Sequence, residues 1–159
     1  MKAKEIIFDM DGTIADTYGV KDWLPKLRAE NPEPYRVAKP LYDMDTLNCI
    51  VSMLRDSGYR IKVVSWGSLD STPEYLEATR VAKEAWLRQY KFPTDEIYVV
   101  PYGTPKADYA GIDSILVDDN ESVCETFLES AKGISRRRVI DATQNICEKL
   151  VDLLIADVA

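Results

Sequence analysis

Residues 5–13 read Glu-Ile-Ile-Phe-Asp-Met-Asp-Gly-Thr. The apolar run Glu5–Asp9 predicts a buried strand. Residues two apart on an extended chain point to the same side, so Asp9 and Asp11 leave the strand's carboxyl end together. Two carboxylates that close repel, and they need a cation between them or a shared proton. Gly12 lets the backbone turn sharply, and a ligand can approach it closely. Thr13 can hold a carboxylate or a backbone group in place. The plain alternative is a polar turn that closes a strand.

Four further runs read as buried strands: 61–65 (IKVVS), 96–100 (EIYVV), 114–118 (SILVD) and 138–141 (RVID). Helical patterns lie between them. Residues 46–57 place Leu47, Ile50, Val51 and Leu54 on one face, with Asp45 as a cap and Gly58 as a left-handed stop. Residues 72–90 form the longest helix, started by a capping box from Ser71 or by Thr72 with Pro73 at the first position. Tyr75, Ala78, Ala82 and Trp86 make its inner face. Segments 121–132 and 143–157 supply two more helices, separated by Gly133 and the Ser-Arg-Arg-Arg run, which reads as a solvated strand entrance. This alternation predicts an α/β fold, a doubly wound parallel sheet with right-handed crossovers. Residues 16–45 are the irregular piece. They hold Pro25, Pro32, Pro34 and Pro40 and one short helix at 20–29, and they are too long for an ordinary connection. They read as a small inserted cap within a single domain spanning 1–159. Its Tyr18, Trp23, Tyr35 and Tyr42 either stack on a planar ligand or pack the cap onto the body.

In an open parallel sheet, ligands gather beyond the carboxyl ends of the strands. Each of four strands delivers polar groups there. Asp9, Asp11 and Thr13 follow the first, and Ser65, Trp66 and Gly67 the second. Thr104-Pro105-Lys106 follow the third, and Asp118-Asp119-Asn120 the fourth. Two carboxylate pairs on neighbouring strands suit a hard octahedral ion such as Mg²⁺. Lys106, with Thr104 as a cap and Pro105 in the first turn, can neutralise phosphate charge and keep an attacking carboxylate ionised. The Ser65 hydroxyl and backbone N–H groups around Gly67 suit phosphate oxygens.

Composition narrows the chemistry. The 159 residues carry 20 Lys and Arg against 27 Asp and Glu, a formal charge of −7, which disfavours broad nucleic-acid or membrane coating. Histidine is absent, so Ser-His-Asp and Cys-His catalysis and histidine zinc sites are excluded. Cys49, Cys124 and Cys147 are odd in number and widely spaced, and they read as buried structural thiols. Acid interrupts the start too early for a secretory leader, and no apolar run approaches the roughly 20 residues of a membrane span. A cytoplasmic protein is expected.

Taken together, Asp9-x-Asp11-Gly12-Thr13, Ser65, Lys106 and the Asp118-Asp119 doublet resemble, in order, the four motif loops of the haloacid dehalogenase-like hydrolases. The resemblance implies a five-stranded sheet of order 5-4-1-2-3 and a Mg²⁺-dependent phosphatase. Asp9 would be the nucleophile and Asp11 the general acid/base, with its backbone carbonyl on the metal. Ser65 and Lys106, with the Trp66-Gly67 loop, would hold phosphate. Asp119 would bind the metal directly, Asp118 from the outer shell, and Thr13 would support them. The presence of Asp11 favours phosphate esters over dehalogenation, and a lysine that precedes the acidic doublet separates the chain from receiver domains. The first and fourth loops are similar to those of 5′(3′)-deoxyribonucleotidases, and the stretch Val63-Val64-Ser65 to Trp86 loosely resembles the phosphatase domain of polynucleotide kinase. The implied partner is a small phosphorylated molecule, such as a nucleotide, ahead of a polynucleotide 3′ end. A non-catalytic domain on the same fold is the third reading.

Overall fold

The central strand β1 (Lys4–Phe8) is apolar on both faces and is flanked on both sides, which is why its sequence does not alternate with polar residues. In chain order the elements continue with β2 (Ala15–Asp16), α1 (Trp23–Arg28), α2 (Glu33–Val37), β3 (Lys39–Pro40), α3 (Met44–Asp56) and β4 (Tyr59–Trp66). Then come α4 (Pro73–Gln89), β5 (Glu96–Val100), β6 (Asp113–Asp118), α5 (Glu121–Glu129), β7 (Arg136–Asp141) and α6 (Ile146–Val158). The computed structural model describes residues 4–131, 133 and 136–158. Met1–Ala3 at the start, Lys132 at the end of the expected 121–132 helix, Ile134, Ser135 of the basic run and Ala159 lie outside the described residues.

Five parallel strands form the sheet in the order β5-β4-β1-β6-β7. Counted over these five strands alone, this is the expected 5-4-1-2-3 order. Ile6 lies opposite Ile61 on one side and Ile115 on the other, and Phe8 opposite Val63 and Val117. Strand alternation splits the core. Ile6 and Phe8 pack with Leu47, Val51 and Leu54 of α3 and with Ile146 and Leu150 of α6. Ile7, Val64 and Leu116 face the other way, toward Phe127 of α5.

Local signals set the helix ends. The side chain of Asp43, not Asp45, caps α3, accepting from Thr46 N at 3.1 Å; Asp45 already lies in the first turn. Thr72 caps α4 through Tyr75 N at 3.2 Å, with Pro73 at the first turn. On α4, Tyr75, Ala82 and Trp86 are buried as expected, Ala78 only in part, and Thr79 and Lys83 join the buried stripe. Cys49 is exposed, because it falls on the side of α3 opposite Leu47, Val51 and Leu54, and Cys124 and Cys147 are only partly covered. The expectation of three buried thiols therefore fails. No helix among the described residues is long and apolar enough to cross a membrane.

The segment after β1 is more ordered than its prolines suggested. It has two helices rather than one, because Pro34 sits in the first turn of α2, where a missing N–H costs nothing. Antiparallel β2 and β3 close its base through Ala15–Pro40 and Asp16–Lys39 pairs. It rests on α4: the Glu30 carboxylate accepts from Thr72 N, Tyr75 Oη donates to Asn31 O at 3.0 Å, and Trp86 Nε1 donates to Ala38 O at 2.8 Å.

Candidate active site

The first loop is a tight turn. Met10 O accepts from the N–H groups of Thr13, Ile14 and Ala15, each at 3.0 Å, and Asp9 N continues the ladder to Val117 O. Gly12 has φ +78°, and a Cβ there would stand 2.4 Å from Asp119 Oδ2, so both conformation and space demand glycine. Thr13 Oγ1 lies 3.1 Å from Asp9 Oδ2 and 3.1 Å from Asp119 Oδ1, bridging the first and fourth loops.

Lys106 opens a short 3₁₀ turn, Lys106–Tyr109, after β5. Thr104 does not cap it; its hydroxyl donates back to Pro101 O at 2.7 Å, since so short a turn leaves little to cap. Lys106 Nζ donates to Asp9 Oδ1 at 2.8 Å and to Asp118 Oδ2 at 2.7 Å. Burial works against its charge, but the two carboxylates more than offset that and hold its pKa above the usual lysine value.

Asp118 is buried, and its other oxygen accepts from Asn120 N at 2.9 Å, so both of its oxygens have protein partners. Asp119 is half-buried and offers one oxygen to Thr13 while the other faces Gly12. Asp9, Asp118 and Asp119 each bring a carboxylate oxygen within 4.8 Å of the others. Three acids around one ammonium leave excess negative charge. Burial and the neighbouring Asp9 push the Asp118 carboxyl up to about 6 against the pull of Lys106. Burial, Asp9 and Asp118 push Asp119 up to about 7.

The side chain of Asp11 does not join that cluster. It turns toward the segment after β1 and helix α4, where Oδ1 accepts from Thr17 Oγ1 at 2.6 Å and Oδ2 from Lys83 Nζ at 2.8 Å. Its charged neighbour is therefore the Lys83 ammonium. Ser65 is fully buried, and its hydroxyl accepts from Lys83 Nζ at 2.7 Å. Gly67 N donates to Val100 O at 2.7 Å and Trp66 Nε1 to Thr104 O at 2.8 Å, so these donors, expected on phosphate, already have partners. The cause is the reach of β5, which pairs with β4 as far as Trp66.

A cavity of about 480 Å³ opens over Asp9, Asp11, Lys106, Asp118 and Asp119. The segment after β1 contributes Tyr18, Trp23, Leu24 and Arg28 to its wall; the loops after β4 and β5 contribute Ser68, Leu69, Asp70 and Tyr102. The four aromatics of segment 16–45 take different places. Tyr18 and Trp23, edge to face at 5.0 Å, line the cavity. Tyr35 is buried against α4, although an edge of it reaches the cavity, and Tyr42 donates to Gln144 O at 3.2 Å. Sequence reading missed Lys83, Thr17, Arg28 and Tyr102. Lys83 alone had a signal: it lies four residues beyond Thr79 and three before Trp86, a lysine on the inner stripe of an amphipathic helix.

No family model and no curated protein matches the chain. Solved structures do. A chain of the Pnkp1/Rnl/Hen1 RNA repair complex superposes with a TM-score of 0.58 at 14% identity, over 87% of this chain and 42% of that one. D,D-heptose 1,7-bisphosphate phosphatase from Burkholderia thailandensis superposes with a TM-score of 0.54 at 17% identity, over 95% of this chain and 98% of that one. The chain shares their fold, a Rossmann-like α/β domain with a five-stranded parallel sheet. A second structure of the Pnkp1/Rnl/Hen1 complex agrees at a TM-score of 0.50 and 16% identity, over 87% of this chain and 45% of that one. The chain thus spans under half of the RNA repair chains it matches and nearly all of the heptose phosphatase. At these identities the likeness concerns the fold.

Proposed function

We propose that this chain is a Mg²⁺-dependent phosphatase that hydrolyses a small phosphate monoester through an aspartyl-phosphate on Asp9. One observation carries the reading: the Asp9 carboxylate is held between Lys106 and two further acids at the floor of a cavity, beyond the carboxyl end of the central strand. The donor set fits a hard divalent ion, since it is all oxygen, carries more negative charge than Lys106 offsets, and raises the Asp119 carboxyl. Asp9, Asp119 and the Asp11 carbonyl would hold the ion, and Asp118, with both oxygens engaged, would steady Lys106 and the loop. When bound, Mg²⁺ would draw charge from the phosphoryl oxygens.

The protein's own groups then do the following. Asp9 carboxylate oxygen bonds to phosphorus as the bond from phosphorus to the leaving oxygen breaks, and Asp11, having taken up a proton from solvent as substrate binds, gives it to that oxygen. Water next attacks phosphorus, the bond to Asp9 breaks, and Asp11 takes the water proton. Inorganic phosphate leaves, and both aspartates return to their starting states. Lys106 cancels charge where an anion approaches an anion. Thr13 fixes the faces of Asp9 and Asp119. Ser65 and the Trp66–Gly67 turn shape the phosphate side from behind.

The substrate reading is a nucleotide or a similar small monoester. Exposed apolar side chains at the mouth (Tyr18, Leu24, Leu69 and Tyr102) suit a planar leaving group, and the rim offers Arg28 against Asp70, little positive charge for a polyanion. A second reading, a polynucleotide 3′-phosphatase, draws on the fold likeness to chains of an RNA repair complex. The non-catalytic reading leaves the buried Asp9–Lys106–Asp118 cluster without a use. Hydrolysis of p-nitrophenyl phosphate with and without Mg²⁺, followed by nucleoside monophosphates against 3′-phosphorylated oligonucleotides, tests all three. Mg²⁺-dependent turnover with monophosphates ahead is expected. Preference for oligonucleotides with steep inhibition by salt would support the second reading, and no hydrolysis of any ester would overturn the first two.

A further inference from the structure

Lys83 has no part in the chemistry just described, yet it is completely buried, more deeply than Lys106 at 5%. A charged ammonium out of water is costly unless its protons are all used. Here they are: Nζ donates to Asp11 Oδ2 at 2.8 Å, Ser65 Oγ at 2.7 Å and Trp66 O at 2.8 Å. The Tyr35 ring covers the group with its centroid 4.5 Å from Nζ. These partners come from three places: the loop after β1, the end of β4, and helix α2 of the cap. Asp11 is fixed in return. Lys83 holds one carboxylate oxygen and Thr17 Oγ1 the other, at 2.6 Å, so its side chain stays at the cavity wall under the cap and away from the Asp9, Asp118 and Asp119 cluster.

We propose that Lys83 is a positioning residue for the reaction. It sets the orientation of the Asp11 carboxyl toward the leaving-group side and ties that orientation to the β4 end and to the seat of the cap on Tyr35. The proposal rests on the phosphatase reading above. A purely architectural lysine would weaken every step and every substrate alike. A residue that acts through Asp11 impairs only the steps in which Asp11 moves a proton. Loss of the p-nitrophenolate leaving group needs no proton, whereas an alkyl leaving group and the attacking water do.

Lys83→Met keeps the side-chain length and removes the donors; Lys83→Gln keeps a donor without charge. In Lys83→Met the first burst of p-nitrophenolate should stay within about threefold of the unchanged protein. Turnover of an alkyl phosphate such as glycerol 2-phosphate should fall about 100-fold or more, the usual weight of a positioned acid/base. Lys83→Gln should lie between. Mg²⁺ affinity by calorimetry should stay within roughly threefold, and adding Lys83→Met to Asp11→Asn should cost less than about threefold further, because the two act as one unit. A p-nitrophenolate burst that falls as far as alkyl phosphate turnover, or a full multiplicative loss in the Asp11→Asn background, would overturn the proposal. If Lys83→Met does not fold, Lys83→Gln carries the same comparisons. An unchanged protein inactive on both esters would remove the phosphatase reading and this one together; an active one whose Lys83→Met variant loses the burst as much as alkyl phosphate turnover would remove this one alone.

Discussion

Lys106 Nζ lies 2.8 Å from Asp9 Oδ1, a contact between residues 97 positions apart, and it also reaches Asp118. Fold topology brings this about: β1 and β6 are neighbours, and the 3₁₀ turn that precedes β6 points its lysine back across their ends. Lys106→Met would leave two buried carboxylates without their cation. Turnover should fall about 100-fold or more, and stability by about 3 kcal/mol, typical of a broken buried pair. Steady-state kinetics and denaturant melts check both.

Adjacent acids should separate by role. Asp118 has both oxygens engaged within the protein, and Asp119 keeps one facing Gly12. Asp119→Asn should therefore weaken Mg²⁺ binding by about tenfold or more, read by calorimetry. Asp118→Asn should act more on stability and on Lys106 than on the metal.

Stability of the metal-free protein should decline as pH rises from 5 to 8. The folded carboxyls of Asp118 and Asp119 are raised to about 6 and about 7, from 3.8. In that window the folded chain binds more protons than the unfolded one, so their contribution, complete below the unfolded value, is lost as pH passes the folded values. Glu77, Glu96 and Asp141 are shifted down, by Arg80, Arg60 and Thr143 respectively, and act in the opposite sense, but only below the ordinary carboxylate range. Melts at pH 5 and pH 8 should show the decline. Mg²⁺ should reverse it at pH 8, and Asp119→Asn should flatten it.

Trp23 meets Tyr18 edge to face at the cavity mouth. Trp23→Ala should raise KM for a nucleoside monophosphate several-fold, in keeping with about 1 kcal/mol or more for a lost stacking face. Turnover of p-nitrophenyl phosphate at saturation should change little, since the hydrogen bonds that hold Asp9, Asp118 and Asp119 come from Thr13, Lys106 and Asn120 and not from Trp23.

Much of this molecule is legible in the sequence for a simple reason. Strands such as Ile115-Leu116-Val117 are short, apolar and end in charge, so the sheet and its active edge announce themselves together. What escapes depends on contacts between distant segments. Nothing near Gly67 reveals that its N–H goes to Val100, and nothing near Pro34 reveals that it falls in the first turn of α2, which tolerates it. Cys49 looked buried because its neighbours are apolar, yet the helical period turns it outward. Lys83 looked like one more helix lysine until the fold set Asp11, Ser65 and Trp66 around it.

The account stands most directly on Asp9. Purified protein and its Asp9→Asn variant can be compared for p-nitrophenyl phosphate hydrolysis in saturating Mg²⁺, with circular dichroism confirming that both are folded. Mg²⁺-dependent turnover by the unchanged chain, and none by the variant, is the predicted result. Comparable Mg²⁺-dependent turnover by folded Asp9→Asn would contradict it.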